Sequence, residues 1–186
     1  DPESGAVREI HRQSDPSWVE LVPGAPAWMG DSLLTVADRD GARRVCLDGV
    51  PISPLGVQVR RVLDVFDDHV YVAATTEPTE VHVARCGADG SFTWLTHDPG
   101  VHSAIVGGDT VVLAASSMGH AGSRVRVEQR GRATAEIASF AEAPVVQPNV
   151  SFLTVGERGQ RVALVLPTQM PSDGHLPVLL DPYGGP

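Results

Sequence analysis

Val59-Arg60-Arg61-Val62-Leu63-Asp64-Val65-Phe66-Asp67-Asp68-His69-Val70-Tyr71-Val72-Ala73-Ala74-Thr75 holds the pattern from which the rest of the chain is read. Two runs rich in Val and Tyr flank an Asp-Asp turn, the composition of paired strands and not of a helix. Two further runs follow, Glu80 to Cys86 and Phe92 to Leu95, on either side of Gly87-Ala88-Asp89-Gly90. The stretch from Val59 to Leu95 therefore predicts four short strands joined by turns.

The unit recurs. Turn glycines at Gly49, Gly90 and Gly131 stand at intervals of 41 residues, and the acidic turn at Asp68 has its counterpart 41 residues on, at Asp109. The next copy predicts strands at His102 to Gly107, Thr110 to Ser116, Ser123 to Gln129 and Thr134 to Phe140. A less clear earlier copy runs from Pro26 through Ser32 to Ala37 and Ala42 to Leu47. A repeat of roughly 40 to 45 residues with four antiparallel strands is the signature of a propeller blade, because such a small sheet buries its faces only against neighbours. The expected fold is all-β, with about three four-stranded blades. A closed ring takes about four to eight blades, so they form part of a larger propeller. The Trp-Asp and Gly-His pairs of WD repeats are absent from the sequence.

After Phe140 the period stops. Residues 141–150, with Pro144 and Pro148, read as a linker between a propeller segment at 1–140 and a second domain at 151–186. There Ser151 to Val155 and Gln160 to Leu166 read as a hairpin about Gly156-Glu157-Arg158-Gly159. Leu176 to Asp181 is nearly continuously apolar, as in a strand buried on both faces of a sheet covered by helices. Asp181-Pro182-Tyr183-Gly184-Gly185-Pro186 is either a plain surface turn or a place where glycines let the backbone approach a ligand.

Composition narrows the function classes. With 186 residues, 42% apolar and 20% charged, the chain can bury a core and is not of disordered composition. No apolar run approaches the roughly 20 residues that span a bilayer, so no membrane segment is expected. A net charge of -9 without an Arg cluster disfavours nucleic acid as partner. All 14 basic residues are Arg, a coding bias that suggests a bacterial source. The compartment stays open, with the bacterial cytoplasm preferred. Cys46 and Cys86 are read as packing thiols, the seven His are too scattered for a zinc site, and neither metal nor cofactor is expected.

The tail Leu176-Pro177-Val178-Leu179-Leu180-Asp181-Pro182-Tyr183-Gly184-Gly185-Pro186 resembles the opening of the catalytic domain in the prolyl oligopeptidase family, most specifically at Tyr183-Gly184-Gly185-Pro186. Upstream, Asp15-Pro16-Ser17-Trp18-Val19-Glu20, Pro26-Ala27-Trp28-Met29, Glu77-Pro78-Thr79-Glu80, Trp94-Leu95-Thr96 and Pro99-Gly100-Val101-His102-Ser103 resemble the propeller of its dipeptidyl peptidase IV branch. The resemblance implies a propeller capping an α/β-hydrolase domain, whose first strands would lie at 151–186. It implies cleavage of short peptides, typically after proline, by a Ser-Asp-His triad. Tyr183 would be the catalytic oxyanion-hole donor, effective only with the rest of that domain. The triad would lie beyond Pro186, and the paired glutamates that hold a substrate amino terminus before Asp1; Glu77 and Glu80 are not that pair. Substrate-binding residues in this segment are unassigned.

No G-x-S-x-G occurs, since Gly30-Asp31-Ser32-Leu33-Leu34 lacks the closing glycine. The segment is therefore expected to be inactive alone, with a peptide substrate for the parent and the remaining blades and hydrolase domain as its partners. Uncovered blade faces and strand edges could also lead to a homo-oligomer. The alternative is a non-catalytic propeller serving as a protein-interaction scaffold, marked by an exposed aromatic or Arg patch. Against it, Trp18, Trp28 and Trp94 sit at strand-like positions suited to core packing. A propeller glycosidase would need clustered carboxylates, whereas the acidic residues fall mostly in turns.

Overall fold

The computed structural model describes residues 3–182. Among them there is no helix, and three four-stranded antiparallel sheets follow one another along the chain. The first holds β1 (Ala27–Met29), β2 (Ser32–Arg39), β3 (Ala42–Leu47) and β4 (Val50–Pro51). The middle sheet holds β5 (Gln58–Phe66), β6 (His69–Thr75), β7 (His82–Gly87) and β8 (Phe92–Trp94). The third holds β9 (Val101–Gly107), β10 (Thr110–Ser116), β11 (Ser123–Gln129) and β12 (Ala135–Ile137). Each sheet is a simple meander, every strand pairing with the next in sequence. The first copy, indistinct in sequence, is a complete sheet, while the strand expected over Thr134 to Phe140 shortens to Ala135–Ile137.

The periodic glycines are conformational markers. Gly49, Gly90 and Gly131 adopt φ of 82°, 82° and 74°, the left-handed region open to a residue without Cβ. In the two-residue turns Asp40-Gly41 and Asp48-Gly49 both residues have positive φ, as a type I′ hairpin turn requires.

The middle sheet is buried on both sides. Along β6, Val70, Val72 and Ala74 join Leu34, Val36 and Val45 in a core against the first sheet. Tyr71 of the same strand joins Val83, Val106, Val111 and Leu113 in a core against the third. The pairing of β5 with β6 shifts register between Val59 and Arg61 and again between Val62 and Asp64. These two bulges bring Val59, Val62 and Val65, three residues apart, onto the face toward the first sheet. Strict alternation would have grouped Val59 with Arg61. Gly24, at φ 84°, lies so close to β5 that a Cβ there would sit 2.1 Å from the Val62 carbonyl oxygen. The Val62 N–H donates to the neighbouring Pro23 carbonyl at 2.9 Å.

The third sheet has one covered and one open face. Ala104, Val106, Val111 and Leu113 turn toward the middle sheet, whereas Ile105 on the other face is 76% exposed. Register places Ile105, Val112, Val127 and Ala135 in one row across that open face.

By its contacts the chain divides into two units, one comprising residues up to Ser117 with Gly122–Ala141, the other Met118–Ala121 with residues from Glu142 onward. In the second unit β13 (Asn149–Val155) and β14 (Gln160–Leu166) form a hairpin closed by Gly156 and Gly159. β13 begins inside the stretch read as linker. Leu176 to Asp181, expected to be a strand, forms none, and Val178, Leu179 and Leu180 are exposed. A strand buried on both faces exists only where flanking strands take up its backbone groups, and no described strand pairs with this segment.

Candidate functional site

Tyr183, the residue that the sequence singles out as an oxyanion-hole donor, lies outside the described residues, with Gly184, Gly185 and Pro186. The described part of the tail before it, up to Pro182, has no regular structure. Ser32, the serine of the incomplete G-x-S-x-G, opens β2 just after the turn at Gly30 and sits in no strand-to-helix elbow.

The chemistry-bearing side chains that the structure does bring together lie between the middle and third sheets. A parallel bridge joins Val81 to Val101: the Val81 N–H donates to the Gly100 carbonyl at 3.0 Å and the His102 N–H to the Val81 carbonyl at 2.8 Å. This sets the His82 and His102 rings in a stack, 5.2 Å between centroids and 21° from parallel. His102 Nε2 lies 2.7 Å from the Asp98 carbonyl oxygen, to which it donates. His82 Nε2 meets Glu80 Oε2 at 2.9 Å and its Nδ1 meets the Thr96 hydroxyl at 3.2 Å. That hydroxyl accepts the Val83 N–H at 2.9 Å, so with its own proton directed to Nδ1 the His82 Nε2–H donates to Glu80.

A hydroxyl, an imidazole and a carboxylate in line have the composition of a hydrolytic relay. Here the hydroxyl has no path to a substrate: Thr96 is 3% exposed and its oxygen is committed to a backbone amide. The cluster satisfies buried polar groups across a blade interface, the duty such groups need met wherever they are enclosed. No group of three His, Cys, Asp or Glu among the described residues could hold a metal ion.

Both thiols are buried and free. Burial pushes the Cys86 thiol up to about 11, and nearby Asp89 adds to the shift. Burial raises Cys46 as well, against the pull of Arg39 and Arg44. Neither is an accessible thiolate nucleophile. The tryptophans depart from expectation. Only Trp94 packs, edge-on to Phe92 and to His82, whereas Trp18 is 74% and Trp28 57% exposed. Trp28 pairs with Leu33, which puts it on the face of the first sheet opposite the Leu34 core.

Four-stranded meanders stacked face to face at a 41-residue period have the form of consecutive propeller blades. No family model and no curated protein matches the sequence. The fold is similar to that of dipeptidyl peptidase 4 from Porphyromonas gingivalis, known from a crystal structure, with a TM-score of 0.53 and 17% identity. That match covers 76% of this chain and 22% of the peptidase. The likeness is one of fold.

Proposed function

We propose that the chain supplies late propeller blades and the opening of the catalytic domain in a serine peptidase of the dipeptidyl peptidase type, acting on short peptides after proline. The observation that carries this is the series of three meander sheets sharing the fold of a dipeptidyl peptidase 4. It agrees with the resemblance of the Tyr183-Gly184-Gly185-Pro186 segment, which comes from an independent part of the sequence. In this reading the propeller comprises residues 1–140, residues 141–150 link it onward and 151–186 begin the hydrolase. The open face of the third sheet around Ile105 receives a further blade of the ring.

The blades restrict entry to short peptides, and the Tyr183 hydroxyl stabilises the oxyanion formed when a triad serine, supplied from beyond Pro186, attacks the scissile carbonyl. Such a donor is worth about 3 to 4 kcal/mol of barrier. No cofactor takes part. No helix among the described residues is long and apolar enough to cross a membrane.

The test uses the parent protein, a Gly-Pro chromogenic amide and a serine-directed phosphonate. Cleavage blocked by the phosphonate and lowered about 100-fold or more in Tyr183→Phe supports the peptidase and the tyrosine's role. No cleavage of any short peptide refutes it. In that case the exposed Trp18 and Trp28 favour a propeller that binds proteins without cutting them.

A further inference from the structure

A cleft of about 350 Å³ opens between the middle and third sheets. Tyr71 of β6 and Arg85 of β7 line it. They are directly paired across the two strands, so both side chains leave the same face of the middle sheet, toward the third. Tyr71 is only 8% exposed and Arg85 is half-buried, yet neither the phenol nor the guanidinium has a hydrogen-bond or ion-pair partner among the described residues. Their polar atoms are not sealed from solvent but open onto the cleft, where a ligand can reach them.

The acids around the cleft are mostly occupied. Asp109 accepts from Gln129 Nε2 at 3.2 Å and from the Thr110 hydroxyl, Glu128 stands 2.9 Å from Arg126 Nε, and the Asp68 carboxylate holds His69 at 2.5 Å. Arg130 and Arg132 on the lip have no side-chain partner among the described residues, and the acid left unpaired there is Asp67. Phe66, Leu95 and Val111 add apolar wall.

We propose that this cleft binds a small carboxylate bearing an apolar body. The guanidinium fork of Arg85 takes the two carboxylate oxygens, the Tyr71 hydroxyl donates to one of them, and the apolar body lies against Phe66, Leu95 and Val111. Phosphate, with no apolar body to lay against Phe66, Leu95 and Val111, makes only the charge contacts and is held less well.

Calorimetric titration of the 186-residue chain with phenylacetate, its neutral isostere phenylacetamide and inorganic phosphate, at constant ionic strength, tests the assignment. Phenylacetate is expected to bind with a Kd of about 1 mM, the range open to a ligand of this size, and the amide and phosphate at least about tenfold more weakly. Arg85→Met should abolish the preference for acid over amide, and Tyr71→Phe should weaken phenylacetate several-fold. Amide NMR shifts at Gly108 and Arg130 should report the same saturation. Absence of saturable binding, equal binding of acid and amide, or tighter binding of phosphate overturns the proposal without recourse to a variant. So does a folded Arg85→Met protein that still distinguishes acid from amide.

Discussion

Replacing Leu113 and Ile105 by alanine, one at a time, measures what lies on each face of the third sheet. The two residues stand on adjacent paired strands, β10 and β9, and face opposite ways. Leu113 is 3% exposed and packs with Tyr71, Val83, Val106 and Val111, so its truncation removes buried methyl groups and leaves a cavity, at about 3 kcal/mol. Ile105 is 76% exposed. If full burial of its side chain is worth about 2 to 3 kcal/mol, the part actually withdrawn from water is worth about 0.5 kcal/mol. The β-branched Ile105 loses more strand propensity on going to alanine than Leu113 does, which narrows the difference by a few tenths of a kcal/mol, on the order of the propensity scale. Urea titrations followed by circular dichroism should therefore separate them by about 2 kcal/mol, read as a midpoint shift at unchanged slope. Equal costs would refute the assignment of one covered and one open face. In the parent protein the same pair tests the ring: with a further blade on the open face, the cost of Ile105→Ala rises toward that of Leu113→Ala. An unchanged cost there refutes the proposal that another blade covers this face.

Two further outcomes follow from particular atoms. Gly24→Ala places a methyl 2.1 Å from the Val62 carbonyl oxygen at a φ of 84°, so the Val22–Ala25 segment must leave β5; thermal unfolding should show a loss of more than about 2 kcal/mol, whereas Gly56→Ala, also at positive φ but with open space around it, should cost about 1 kcal/mol. Cys86, its Sγ 3.3 Å from the Ile52 carbonyl oxygen, is held protonated up to about 11 in the fold, while the unfolded thiol ionises near its ordinary 9.0. The unfolded state thus loses its proton first, stability falls as pH rises from about 9 toward 11, and a Cys86→Ala variant should lack that part of the alkaline slope when melts are compared across this range.

Much of the local architecture was legible before any coordinates. His69–Thr75, Thr110–Ser116 and Ser123–Gln129 run over the residues that their Val-rich composition and flanking turns indicate. The periodic glycines are left-handed because a hairpin turn at those points demands it. Pairing in a meander is a near-neighbour matter, so alternation and turn chemistry suffice to place most of its strands. A resemblance of short motifs pointed to the dipeptidyl peptidase fold, a likeness that shared sequence at 17% identity carries only faintly.

What a side chain touches across sheets is a different kind of information. The two bulges of β5 that align Val59, Val62 and Val65 break the period on which strand reading depends. The stack of His82 on His102, the exposure of Trp28 and the facing of Tyr71 and Arg85 into one cleft follow from how one blade lies against the next. The apolar run Leu176 to Asp181 shows the limit most plainly, because its pattern is that of a central strand and yet it pairs with nothing described. Sequence alone determined most of the strands of the three sheets, their turns and the repeat, since these arise from interactions within a few residues. Tertiary structure decided which faces are buried and which polar groups meet, since burial is a property of the neighbour as much as of the residue.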